Sequence, residues 1–176
     1  MKILQFVEHV RGSPKEYLVC HDSYFRNCLG LFLFDGLTIT GDEYCGMLAA
    51  YGVPILTDGN DHLIFQQDGA GPHYATVVRD YLDETLPQRW CGRGGGIGWR
   101  SWPARSPDLT PLDFFLLGFV KDKVYSVKIR DIDHLKERIT EAVRSVTPTM
   151  MNNVWDEILE RLNLCKDIGG AHLEVY

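Results

Sequence analysis

The sequence predicts one α/β domain over residues 1–176, built on a mixed sheet covered by helices. Short apolar segments of strand length fill the first part of the chain, and amphipathic helical segments dominate the second half. A strand followed directly by a helix connects the two regions. This order is typical of a mixed sheet packed against helices, and the length is that of one ordinary domain.

The first third of the chain contains three expected strands and one expected helix. The segments "KILQFVEHV" and "EYLVCH" are extended and are separated by the turn "RGSPK", and "CLGLFLF" is an apolar run closed by Asp-Gly. The segment "TGDEYCGMLAAYGVPIL" has an N-cap threonine, early acids and helical apolar spacing. We expect this helix to end near Pro54.

The next expected element is a strand, "HLIFQQ", that stops at an Asp-Gly pair. The following "PHYATVVRDYLDETL" predicts a helix with Pro72 at its first position. A helix is expected at about 110 to 120, and "IDHLKERITEAVRSV" and "PTMMNNVWDEILERLNL" predict two more, separated at Thr147-Pro148. The apolar face of the helix after Pro72 is expected to contain Ala75, Val78, Leu82 and Leu86.

Composition excludes several classes of protein. Apolar residues make up 45% and charged residues 24%, which is typical of a globular chain, and the net charge of −6 gives no overall attraction to nucleic acid. No apolar run is long enough for a membrane span, and the start does not resemble a signal peptide. The five cysteines are scattered and odd in number, which favours reduced thiols inside a cell over disulfides or a zinc finger.

Two acids, Asp68 and Asp113, each have a plain structural interpretation. Asp68 precedes a glycine and can end a strand in a turn, because aspartate side chains bond nearby backbone N–H groups. If Thr110 is an N-cap and Pro111 the first helical residue, Asp113 can act as the acid of a capping box. Asp108 can play a similar role one step earlier.

The alternative is that both acids bind divalent cations. Two ions about 3.5 to 4 Å apart commonly promote hydrolysis or transfer at phosphodiesters. Mg²⁺ prefers oxygen ligands and keeps several waters, so a few carboxylates are sufficient protein ligands. Such a site needs a further carboxylate to bridge the ions, beyond Asp68 and Asp113.

Three stretches of the sequence resemble the catalytic domain of mariner-like DDE/D transposases: "LIFQQDGAGPHYATVVRDYLDETLPQRW", "RSPDLTPLDFFLLGFVKDKVY" and "GGAHLEVY". The resemblance implies an RNase H-like fold, a five-stranded mixed sheet with helices on both faces. It makes Asp68, at the end of the fourth strand, the second catalytic acid and Asp113 the third. It also implies Mg²⁺ or Mn²⁺ as cofactor, DNA cleavage and strand transfer at transposon ends, homodimers and a nuclear location.

The resemblance further predicts an amino-truncated copy. The family's first acid and its helix-turn-helix region lie upstream of the stretch that begins this chain. We therefore expect the sheet to lack its first, central strand and the chain to be inactive alone. One repair is that "ILQFVEHV" fills the gap and Glu8 replaces the missing acid; Asp22 and Asp35 match non-catalytic positions and are weaker substitutes.

A basic and aromatic segment lies between the two acids in sequence. Residues 89–105 contain four arginines, three of the four tryptophans and no acid. Arginines neutralise phosphates and aromatic rings stack on bases, so this segment is a candidate DNA contact; alternatively, its tryptophans pack under the sheet edge and its arginines are solvated. His73 is a candidate phosphate contact or a structural histidine. The candidate contacts are Arg89, Arg93, Trp99, Arg100, Arg105 and His73.

Three functional interpretations remain open at this point. The first is a transposase catalytic-domain fragment that keeps two of three metal-binding acids. The second is a non-catalytic module that uses the same scaffold to bind nucleic acid or a protein. The third is an open reading frame with no selected role. Divalent-metal binding that depends on Asp68 would distinguish the first from the second.

Overall fold

The computed structural model describes the backbone of residues 2–8, 16–21, 27–33, 38–57, 63–93, 102, 106–171 and 173. Within these ranges it describes side chains from residue 38 onward, except those of residues 55, 56 and 63. Backbone contacts divide the chain into two compact units, one of residues 1–23 and 27–105 and one of residues 24–26 and 106–176. No helix in the described part of the chain is long and apolar enough to cross a membrane. The expectation of one domain over residues 1–176 stays a prediction.

A five-stranded mixed sheet forms the framework of the first unit. Its order is β3-β2-β1-β4-β5, in which β1 pairs antiparallel with β2 and parallel with β4. The pair β2 and β3 is antiparallel, and β4 and β5 are parallel, so the predicted mixed sheet is confirmed. The strands are β1 Lys2–Glu8, β2 Glu16–His21, β3 Asn27–Leu33, β4 Leu63–Gln67 and β5 Trp90–Cys91.

The expected gap at the centre of the sheet is not present among these strands. Lys2–Glu8 lies between β2 and β4, with Lys2 opposite Leu63 and Phe6 opposite Gln67. Pairing on both sides satisfies backbone groups that an empty central position would leave without partners. The missing central strand is therefore not confirmed, and Lys2–Glu8 occupies the central position, as the alternative that "ILQFVEHV" fills the gap predicted.

The helix after β3 starts as predicted but extends further. Thr40 is its N-cap and forms a capping box: its hydroxyl accepts from the Glu43 N–H at 3.2 Å, and the Glu43 carboxylate accepts from the Thr40 N–H at 2.8 Å. The helix α1, Gly41–Met47, continues through a π-helical turn, Leu48–Gly52, into α2, Val53–Thr57. The expected end near Pro54 is wrong, because the π-helical turn, in which the Val53 N–H bonds the Leu48 carbonyl, continues into α2, and α2 includes Pro54 and ends at Thr57.

Helix α3, Thr76–Thr85, covers the core of the first unit with the predicted face. Val78, Leu82 and Leu86 are fully buried. The helix starts four residues after Pro72, because residues 71–74 form a separate turn in which Tyr74 N–H bonds the carbonyl of Ala70. The expectation of Pro72 at the first helical position is therefore wrong. Buried partners of this face include Tyr44, Met47, Leu48, Phe65 and Trp90.

The second unit is helical. It contains a 3₁₀ turn Pro107–Leu109, a π-helical turn Leu112–Leu116, α4 Leu117–Tyr125, α5 Ile132–Arg144 and α6 Pro148–Asp167. The predicted break before Pro148 is confirmed: the Thr147 hydroxyl caps α6 by accepting from the Met150 N–H at 3.2 Å. The Asp131 carboxylate caps α5 in the same way, accepting from the His134 N–H at 2.7 Å.

Candidate functional site

Asp68 lies directly after β4, at the edge of the sheet where the parallel strands end. The neighbouring parallel strand β1 is in register with β4 up to Phe6 and Gln67, so the end of β1 reaches the same edge. Carboxyl ends of parallel strands are where α/β sheets commonly place functional groups. The prediction that Asp68 follows the fourth strand is confirmed.

The Asp68 carboxylate forms a close pair with His73. Its Oδ1 lies 2.5 Å from Nδ1 of His73 and also accepts from the Ala70 N–H at 3.0 Å. The His73 side chain is fully buried, whereas that of Asp68 is 34% exposed. Burial by itself would raise the pKa of Asp68, but the hydrogen bond and charge of His73 and the Ala70 N–H outweigh it and lower that pKa. Asp68 is therefore ionised at neutral pH.

Two buried side chains hold His73 in place. The Tyr44 ring stacks on the imidazole with centroids 4.2 Å apart, and the Tyr44 hydroxyl donates to Gln67 Oε1 at 3.3 Å. The amide of Gln67 donates to the His73 carbonyl at 2.9 Å. Because Tyr44 and Gln67 are themselves buried, the network fixes the turn that follows Asp68. His73 is thus a partner of the acid, and its expected contact with phosphate stays a prediction.

The second oxygen of Asp68 is available for another partner. Within the described ranges, Oδ2 accepts no hydrogen bond, while Oδ1 is used by His73 and Ala70. An ionised, partly exposed carboxylate with one free oxygen suits a divalent cation, which prefers hard oxygen ligands. Asp68 therefore fits as one ligand of such an ion.

Asp113 lies in the second unit, in the first turn of the helix that continues into α4. Its N–H bonds the Thr110 carbonyl at 2.8 Å, so the helical hydrogen bonds start at Thr110. The Thr110 hydroxyl donates to the Ser106 carbonyl at 3.1 Å and thus ties this helix to the preceding 3₁₀ turn. The position on a first helical turn is as predicted, and the role of the Asp113 carboxylate stays a prediction.

Asp108 and Arg161 brace the start of the Asp113 helix. Asp108 Oδ2 accepts from the Leu173 N–H at 3.3 Å, and the Asp108 carbonyl accepts from Arg161 at 3.2 Å. The same guanidinium donates to Glu157 at 2.6 and 2.8 Å and lies 4.3 Å from the centroid of the Phe114 ring. Asp108 therefore binds the backbone of Leu173, a contact that the capping interpretation did not predict.

The basic segment is described only in part. Trp90 is 1% exposed and its indole donates to Asp83 at 2.9 Å, so this tryptophan belongs to the core, as the structural alternative predicted. The Arg89 carbonyl accepts from the Phe65 N–H at 2.7 Å. Arg93 is exposed, and its guanidinium lies 4.6 Å from the centroid of the Tyr74 ring. The remaining candidates, Trp99, Arg100 and Arg105, lie outside the described residues.

Solved structures of the Mos1 mariner transposase have the same arrangement of elements. Its catalytic domain is 22% identical, with a TM-score of 0.73 over 98% of this chain and 84% of that one. The same domain solved with raltegravir and Mn gives 20% identity, a TM-score of 0.75 and coverages of 98% and 85%. The chain has the fold of a mariner transposase catalytic domain.

A third Mos1 structure shows the domain within a larger polypeptide. In the paired-end complex with the left transposon end, the identity is 19%, the TM-score is 0.74, and 98% of this chain covers 56% of that chain. The chain thus spans slightly more than half of the Mos1 polypeptide in that complex. No family model and no curated protein matches the sequence.

The described residues contain no complete metal site. Among them, no group of three or more His, Cys, Asp or Glu side chains could hold an ion. The side chains of Glu8, Asp22 and Asp35 lie outside the described residues, so their expected roles stay predictions. Asp68 is the acid whose surroundings most clearly suit a cation.

Sequence reasoning missed four residues around Asp68: Tyr44, Gln67, Tyr74 and Arg79. Tyr44 lies in a helix and Gln67 in a strand, and the neighbouring sequence does not show that their side chains form hydrogen bonds rather than only pack in the core. A signal was present for the others, since "PHYATVVR" places an aromatic residue and a cation five positions apart beside the acid. Arg79 lies 4.7 Å from the centroid of the Tyr74 ring.

Proposed function

We propose that this chain is a transposase-derived catalytic domain that binds divalent cations through Asp68 and Asp113 and contacts DNA. The observation that carries the proposal is the state of Asp68: ionised, one-third exposed, and placed where two parallel strands of the sheet end. The likeness to the Mos1 catalytic domain supports it, since solved structures of that domain contain Mn or Mg. We take the fold to be RNase H-like on the same grounds.

A bound cation would supply activation of an attacking oxygen and stabilisation of the leaving oxygen at a phosphodiester. The contribution of Asp68 is a carboxylate that His73 keeps ionised and oriented. Two acids are few for such a site, and Glu8 is the single acid in β1. We therefore expect the chain alone to bind metal weakly and to leave DNA uncut, unless Glu8 supplies the third carboxylate.

The alternative is a non-catalytic module that binds nucleic acid or a protein on the same scaffold. The bond between Asp68 and His73 favours this alternative, because it gives the acid a structural role without metal. On this view Asp68 ends a strand and fixes a turn, and Asp113 starts a helix. Metal would then change neither the stability of the chain nor its affinity for DNA.

Titration with Mn²⁺ by calorimetry distinguishes the two. We expect binding by the wild-type chain, a loss of at least tenfold in affinity in Asp68→Asn and in Asp113→Asn, and no loss in Asp122→Asn, which removes an exposed charge from α4. Equal affinity in all four proteins would refute the metal site. Nicking of a supercoiled plasmid by wild type and Glu8→Gln then tests the third carboxylate.

The proposal includes the assembly and the location of the chain. Mos1 forms paired-end complexes with transposon ends, and by likeness we expect this chain to form a homodimer on DNA in the nucleus. Light scattering with and without a DNA duplex measures the mass of the particle. A monomer under both conditions would refute the dimer.

A further inference from the structure

We propose that Tyr74, Arg79 and Arg93 form a binding site for the phosphate backbone of a DNA strand beside Asp68. The inference rests on the proposed function, because it assigns a DNA contact to the same edge of the first unit. It goes beyond that function in naming a group of three residues that the metal site and the core do not include. Tyr74 directly follows His73, the partner of Asp68.

The three side chains form a compact cluster around one exposed ring. The guanidinium of Arg79 lies 4.7 Å from the Tyr74 centroid, and that of Arg93 lies 4.6 Å from it. Tyr74 is 40% exposed, although it directly follows the buried His73. Attraction between cations and the ring quadrupole orients both guanidiniums.

Within the described part of the chain, neither arginine of the cluster forms an ion pair with an acid. Among the described residues, the ion pairs are His73 with Asp68, Arg138 with Glu141 and Arg161 with Glu157, and none of them involves Arg79 or Arg93. Arg79 donates to the Thr76 hydroxyl at 3.4 Å, whereas its Nε is buried and has no hydrogen-bond partner in the described ranges. Two neighbouring guanidiniums whose N–H donors are not all used suit an anionic ligand.

The chemistry of the cluster favours phosphate over a base or an acidic peptide. Two guanidiniums lie over the ring of Tyr74, so the ring supports the arginines and leaves little surface for base stacking. Arginine forks match the oxygens of phosphate, and contacts to phosphate carry no sequence information. The chain's net charge of −6 gives no overall attraction to DNA, so DNA binding depends on local positive sites of this kind.

The size of the effect follows from counterion release. Each phosphate contact on a single strand contributes about 0.7 to the slope of log K against log salt. Losing two contacts therefore lowers the slope by about 1.4 and weakens binding at 0.1 M salt by about 25-fold. The loss should be the same for every base composition.

Fluorescence anisotropy of a labelled single strand, measured with EDTA at several salt concentrations, tests the site in the full chain. We expect the double variant Arg79→Gln/Arg93→Gln to bind DNA about 25-fold more weakly and with the lower salt slope. The control Arg130→Gln removes one charge from an exposed arginine of the second unit and should change neither quantity. Tyr74→Leu should weaken binding, and Tyr74→Phe should not, because only the ring is needed. Circular dichroism checks that each variant is folded.

Each result has a distinct meaning. If wild type binds DNA and the double variant binds with the same slope, the site is refuted while the proposed function stands. If wild type binds no DNA at any salt concentration, both fail. A loss confined to one base composition would refute a backbone contact, and a loss of polyglutamate binding with DNA binding unchanged would show that the site takes an acidic protein instead.

Discussion

Replacing Asp68 by asparagine tests the pair on which the candidate site is built. The change keeps the shape of the side chain and its ability to accept from His73 and from the Ala70 N–H, but it removes the charge. A hydrogen bond to a charged group contributes about 1.5 to 3 kcal/mol, roughly twice a neutral one. We therefore expect Asp68→Asn to lower the free energy of unfolding by about 1 to 2 kcal/mol at pH 7.

The loss should depend on pH with a definite sign. The pKa of Asp68 is lowered in the folded chain, so its ionised form stabilises the fold above the unfolded pKa of about 3.9, and that contribution disappears as the pH falls through the folded pKa. The difference between wild type and Asp68→Asn is therefore largest near neutral pH and shrinks below about pH 4.

Thermal unfolding with EDTA between pH 3 and pH 8 measures this difference. For a chain of this size, each kcal/mol corresponds to about 2 to 4 °C in the melting temperature, so a decrease of about 2 to 8 °C is expected at pH 7. Asp80→Asn, an exposed charge on α3, is the control and should change the melting temperature little. A melting temperature raised by Asp68→Asn would refute the reasoning, because it would mean that repulsion from other carboxylates exceeds the attraction of His73.

Three further substitutions test the packing. Leu82→Ala should lower the free energy of unfolding, measured by urea titration, by about 2 to 5 kcal/mol, because the Leu82 side chain is fully buried. Val77→Ala is the control: its side chain is 41% exposed, and the loss should be under about 1 kcal/mol. Gly41→Ala should lower the free energy of unfolding by about 1 to 3 kcal/mol, because the new Cβ would lie 2.3 Å from that of Ala75. Adding Ala75→Gly to this variant should restore most of the lost stability, and a double variant as unstable as Gly41→Ala would contradict the contact. Arg161→Lys should lower the free energy of unfolding by about 1 kcal/mol, because lysine cannot reproduce the two hydrogen bonds to Glu157 and the contact with the Phe114 ring. An unchanged melting temperature would contradict this.

The elements of the fold were predictable wherever the signal was local. The capping box of Thr40 and Glu43, the buried face of α3 and the break at Thr147 all depend on residues within four positions or one helical repeat. Strand β5 was missed because its two residues lie in the glycine- and arginine-rich segment, where no alternation of polarity is possible over so short a length. The continuation of the helix past Pro54 was missed because a π-helical turn has no sequence signature.

The candidate site was predictable in its acids and less so in their partners. The sequence placed Asp68 at the end of a strand because an apolar run stops at Asp-Gly. It did not show that Gln67, in the strand itself, bonds both Tyr44 and the His73 carbonyl, because those contacts join separate elements. The need for glycine at position 92 was not predictable either. A Cβ there would lie 2.8 Å from the Gln67 side chain, and only the packed sheet creates this close approach.

The sequence by itself determined the order of β1 to β4 and the helices, the N-cap at Thr40 and the positions of Asp68 and Asp113 along the chain. Tertiary structure alone decided that Lys2–Glu8 occupies the centre of the sheet, that Gln67 bonds the Tyr44 hydroxyl, 23 residues away, and that Asp108 binds the N–H of Leu173, 65 residues away. The physical reason is range. Caps and turns act over a few residues, whereas strand pairing and side-chain networks depend on which distant segments fold against each other.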